Sequence, residues 1–146
     1  MTHLATGRLA IALCALAVLA AAATPAHAQA QAAFSIPFKF ESGGKKLPAG
    51  DYVVTKTGDA QVTFRQVSTG KETILPITEA LKSSTPRAGA PLIVFDETGA
   101  FEPSYTEYFT IYVVAEVWLS ANDGYLIHLT KGAHKDKVVT GESKGK

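Results

Sequence analysis

Four side chains between positions 108 and 118 could do recognition chemistry together: Tyr108, Tyr112, Glu116 and Trp118. All four carry even numbers, so on one extended strand they emerge on a common face. Rings with a polar tip offer a large contact area and few torsions to freeze, and the carboxylate between them adds a hydrogen-bond acceptor. The set suits stacking on a carbohydrate or docking against an envelope protein. The same face would equally serve as a contact between two copies of the chain, or be covered by a second layer of the fold.

Two other groups could carry chemistry. Asp96, Glu97, Glu102 and Glu107 gather carboxylates in one segment, which could hold calcium or supply an acid and base pair. Such pairs need rigid elements to hold them a few ångströms apart, and a loop does this poorly, so solvated charge is the simpler reading. His128 and His134, with Asp123 and Asp136, offer imidazole and carboxylate ligands. Their spacing fits no recognised metal pattern, so no metal and no cofactor is expected. The chain has no G-x-S-x-G, H-E-x-x-H, P-loop or G-x-G-x-x-G motif. A non-enzymatic role is therefore the first expectation. A polysaccharide-active enzyme stands as an alternative in which Glu116 would be the carboxylate on a rigid element.

The elements that must position these groups are short β-strands between turn signals. Phe34, Ile36, Phe38 and Phe40 alternate with Ser35, Pro37 and Lys39, and Pro37 places this strand at an edge or beside a bulge. Turns at 42–46, 57–60 and 68–71 separate strands at 51–56, 61–67 and 72–81, which form a meander. After a loop at 83–90 come a short apolar run at 91–96 and an irregular stretch at 97–106. In the long strand 108–119 the odd positions Phe109, Ile111, Val113, Ala115, Val117 and Leu119 are all apolar and are expected to face the core. The turn Ala121-Asn122-Asp123-Gly124 leads to a partner strand at 125–130, and 137–140 adds a last one. The pattern predicts an all-β fold of about eight strands, a small antiparallel β-barrel or β-sandwich, over 29–140, with a disordered polar tail at 141–146.

Residues 1–28 read as a secretory signal peptide. A weakly basic start is followed by an uncharged apolar run from Leu9 to Ala23 and by Ala26-His27-Ala28 ahead of the cut. The run of 15 residues is shorter than the roughly 20 needed to span a bilayer as a helix, so no stable membrane anchor is expected after cleavage. Removing 28 of the 146 residues leaves 118, and losing Arg8 leaves 13 basic against 13 acidic groups, a formal charge of zero. A chain so balanced has no polycationic face for nucleic acid. Cys14 leaves with the leader, so the processed domain has neither disulfide nor thiolate and must stand on its core alone.

FSIPFKF at 34–40, LPAGDYVV at 47–54, PLIVF at 91–95 and AEVW at 115–118 together resemble, in that order, a family of small exported bacterial proteins of uncharacterised function. In that family a basic or aromatic run follows the L-V-F strand, where this chain has the acidic segment Asp96 to Glu107. The resemblance implies an exported β-barrel-like domain and supplies no activity. The reading is then a periplasmic or extracellular module, binding or structural, acting through Tyr108, Tyr112, Glu116 and Trp118. The alternative is a lipocalin-like carrier with an interior lined by Phe38, Phe64 and Phe109 around an apolar ligand.

Overall fold

The computed structural model describes residues 29–102 and 107–144, apart from the side chains of 100–102 and 107–108. The proposed leader at 1–28 lies outside the described residues. Among them there is no helix, and none long and apolar enough to cross a membrane. Eleven strands are present: β1 (Gln31–Ile36), β2 (Phe40–Ser42), β3 (Lys45–Leu47), β4 (Gly50–Lys56), β5 (Gln61–Gln66), β6 (Glu72–Pro76), β7 (Glu79–Lys82), β8 (Leu92–Glu102), β9 (Glu107–Trp118), β10 (Asp123–Leu126) and β11 (Lys135–Ser143). Nine of them follow one path, β3-β2-β9-β8-β11-β1-β4-β5-β6, in a curled half-barrel sheet, and β10 pairs with both β7 and β9.

Several strands end where the sequence forbids a ladder. Pro37 has no N–H to donate, and β1 stops at Ile36, so the expected single strand at 34–40 is divided into β1 and β2. Gly43 and Gly44, with φ of 58° and 76°, make the two-residue turn joining β2 to β3, a geometry that suits glycine at both positions. The expected strand at 72–81 is likewise divided after Pro76. β6 pairs with β5, whereas β7 pairs with β10, and between them Thr78 N–H donates to the Leu126 carbonyl at 2.8 Å.

Three further expectations are corrected. Of the stretch at 97–106, read as irregular, 97–102 is strand, because β8 runs to Glu102 in antiparallel register with β9, and 103–106 lie outside the described residues. The tail does not fray at Gly141: Gly141, Glu142 and Ser143 pair with Phe34, Ala33 and Ala32 of β1. The alternation in β9 does not hold along its length. Val94 lies opposite Glu116 but Phe95 lies opposite Val114, so Ala115 is an extra residue on β9, a β-bulge. The bulge sits where β9 changes neighbours, from β2 at Val113 to β10 at Glu116 onward. The Ala115 carbonyl accepts the Ile127 and His128 N–H groups at 2.7 and 3.2 Å.

One extra residue inverts a period of two. C-terminal to the bulge, Val117 and Leu119 face the main core, as the odd-numbered set predicts. N-terminal to it the even residues Val114 and Tyr112 do so, and Phe109 is 45% exposed. That core is filled with rings. Phe40 meets Tyr52 and Phe95 edge-on at 5.4 Å, and Phe38 stacks on Tyr112 at 4.0 Å while meeting Phe95 at 5.0 Å. Each such pair adds about 0.5–1.5 kcal/mol beyond the area it buries.

Candidate functional site

Of the four residues expected to share one recognition face, Glu116 and Trp118 do share a side of β9, and they satisfy each other. Trp118 Nε1–H donates to Glu116 Oε2 at 2.7 Å, and Arg87 Nη1–H donates to the same oxygen at 3.0 Å. The Arg87 guanidinium stacks on the Trp118 ring, 4.9 Å from its centroid. Leu92 and Val94 of β8 and Leu81 of β7 pack around the indole, which is 5% exposed. Gly124 lies opposite Trp118 on β10, and a Cβ there would stand 2.4 Å from ring carbon. The ring therefore rests on bare backbone. The loop from Ser83 carries Arg87 across this face and is tied down by Ser83 N–H to the Asn122 carbonyl and Arg87 N–H to the Ala121 carbonyl. Trp118 is thus a buried anchor under a loop, not an open platform.

Tyr112 is on the opposite side of the sheet, stacked on Phe38 and packed against the main core. The inversion at Ala115 separates it from Glu116 and Trp118. The Tyr108 backbone lies in β9 opposite Phe101, and its side chain is outside the described residues. Phe38, Phe64 and Phe109, expected to line one cavity, do not converge. Phe64 is fully buried among Phe40 and Tyr52, Phe38 is held by Tyr112 and Phe95, and Phe109 is 45% exposed.

A different concavity lies where the β2–β3 hairpin meets the N-terminal half of β9. It has a volume of about 560 Å³. Phe40, Leu47 and Tyr112 supply buried or half-buried apolar surface, Phe109 and Ile111 add more from β9, and Lys39, Lys46 and Glu41 bring charge. Its size lies in the range usual for small-molecule sites, and an apolar lining with a few charged groups is their usual character. The hairpin is anchored beside it by Tyr52, whose hydroxyl donates to the Pro48 carbonyl at 2.7 Å, and burial pushes the Tyr52 phenol above its ordinary pKa. Reasoning from sequence missed Lys39, Lys46 and the outward Phe109. A signal was present: Phe40 and Leu47 stand at mirrored positions around Gly43-Gly44, the mark of a short hairpin with one apolar face.

Asp96, His134 and Asp136 come together across β8 and β11, and the other charged groups are dispersed. Asp96 is buried in β8, Glu102 and Glu107 face each other as backbone partners near the far end of the β8–β9 ribbon, and Glu97 is half-buried. Asp123 pairs with Lys82 at 3.6 Å at the β7–β10 ladder, and His128 is exposed. His134 pairs with Asp96, Nε2 to Oδ1 at 3.6 Å. The Tyr125 phenol is raised by burial and then by Asp123. No family model, curated protein or solved structure matches the chain.

Proposed function

We propose that the chain is an exported, non-enzymatic binding module of β-barrel form, and that its ligand seat is the groove between the β2–β3 hairpin and β9. The ligand is a small amphiphile with an apolar body and an anionic head. One observation carries this reading: Phe109 and Ile111 bring apolar surface to a groove of about 560 Å³ that Lys39 and Lys46 also line. An apolar chain laid there would cover exposed ring surface, and either ammonium would meet a carboxylate or sulfate. The barrel form is supported by the way β6 continues through Ile77 and Thr78 into β7, which reaches β9 by way of β10. Export is supported by the character of residues 1–28.

A thermal-shift series tests the chemistry of the ligand. Medium-chain fatty acids should raise the melting temperature in a saturable way, matched alkanols should do so less, and mono- and disaccharides should leave it unchanged, because only a molecule bound to the folded form stabilises it. A rise with sugars and none with carboxylates would replace the groove by a carbohydrate surface.

A further inference from the structure

We propose that Asp96, His134 and Asp136 form a site for a divalent transition-metal ion of the zinc class. β11 runs antiparallel to β8 with Asp136 directly opposite Asp96, and His134 lies two residues before Asp136. The candidate ligand atoms of the three residues all lie within 4.8 Å of one another. Atoms bound about 2.0–2.2 Å from one tetrahedral ion stand roughly 3.3–3.6 Å apart, so side-chain shifts of about 1 Å would complete the set.

Two features point to a cation. The first is electrostatic. Like charges directly opposite across a strand pair repel, and a buried carboxylate is costly without a partner. The Asp96 side chain is only 6% exposed, and among the described residues its ion-pair partner is His134 alone, with no lysine or arginine on Asp96 or Asp136. The second is the orientation of the imidazole. His134 Nδ1 lies 3.0 Å from the Gly132 carbonyl, which can only accept, so Nδ1 carries the proton. Nε2 is left facing Asp96 Oδ1 at 3.6 Å, too far for a direct hydrogen bond. A ring nitrogen fixed in this way by a backbone carbonyl behind it is the arrangement of a metal-ligating histidine. One imidazole with two carboxylates suits zinc and its neighbours better than calcium, which takes oxygen ligands. Three protein ligands leave a position for water or an exogenous anion, and a hollow of about 370 Å³ lined by His134, Lys135 and Glu97 gives access from solvent.

Calorimetric titration of the metal-stripped protein with Zn²⁺ tests the site. One equivalent should bind and raise the melting temperature. Asp136→Asn, at an exposed position, and His134→Ala should each weaken binding at least about tenfold, with His128→Ala unchanged and Ca²⁺ binding more weakly. Asp136→Asn should also raise the melting temperature of the metal-free protein, since it removes one of two opposed charges. Absence of saturable binding at one equivalent would overturn the proposal, as would binding that survives His134→Ala. A lower melting temperature for metal-free Asp136→Asn would also overturn it, because Asp136 would then stabilise the fold through contacts of its own and not oppose Asp96.

Discussion

Val113 and Val114 are neighbours in β9, identical in chemistry, and separated in environment by the bulge at Ala115. Val114 is fully buried in the ring-filled core, whereas Val113 is half-buried on the other side. Changing either to alanine deletes the same two carbons. At Val114 the loss is about 1.6 kcal/mol of transfer free energy plus the cavity left among packed neighbours, about 2–3 kcal/mol in all. At Val113 part of that surface is already wet and little cavity forms, so the loss is about 0.5–1 kcal/mol. Urea unfolding followed by circular dichroism reads the difference. With a slope of about 1.5–2 kcal/mol per molar, Val114→Ala should unfold roughly 1 M earlier than Val113→Ala. Equal midpoints, or a lower midpoint for Val113→Ala, would mean that the odd-numbered face holds along the whole strand and that the bulge does not invert it.

Other expectations follow from the same contacts. Gly124→Ala should cost about 1–3 kcal/mol and shift Trp118 fluorescence to the red, because the new Cβ displaces the indole from its seat. Glu116→Gln removes the charge that receives both Arg87 and Trp118, in a half-exposed setting. It should lower stability by about 1–2 kcal/mol in chemical denaturation, and an unchanged midpoint would show the network to be ornamental. Tyr52 and Tyr125 have phenols raised above the ordinary value of 10.0, so above that pH the unfolded chain loses protons that the folded one keeps. Their contribution is intact below pH 10 and is lost as pH rises through the folded values. Tyr52→Phe should flatten that alkaline decline while costing about 1 kcal/mol at neutral pH for the hydrogen bond to Pro48.

Local signals carried the strand content, the β4–β5–β6 meander and a turn near Asn122, since alternation and turn residues act within a few positions. Asp123 and Gly124, read as part of that turn, already belong to β10. The bulge left no such trace. Val113, Val114 and Ala115 are all small and apolar, so an extra residue among them changes no pattern, and its cause is non-local, the exchange of β2 for β10 beside β9. The extension of β8 was hidden because Glu97 and Gly99, on either side of Thr98, are weak strand formers held by register with β9. Pro76 marks the break between β6 and β7, a signal that the reading of 72–81 as one strand did not use. Glu116 and Trp118 lie on one side of β9, two residues apart. That the loop at 83–90 would bring Arg87 over the indole is a tertiary fact, and neither the small residues of the loop nor the lone arginine spells it out. Asp96 and Asp136 likewise meet only because β11 returns beside β8.

The groove is tested most directly by calorimetric titration of a medium-chain fatty acid into the purified protein and its Phe109→Ala variant. Phe109 is 45% exposed. Covering that share of a ring side chain buries on the order of 90 Å², worth roughly 2 kcal/mol, or about thirtyfold in affinity. One ligand per chain, weakened about thirtyfold by Phe109→Ala and severalfold by Lys46→Glu, is the expected result. Binding of equal strength in the wild type and Phe109→Ala, or none in either, would contradict it.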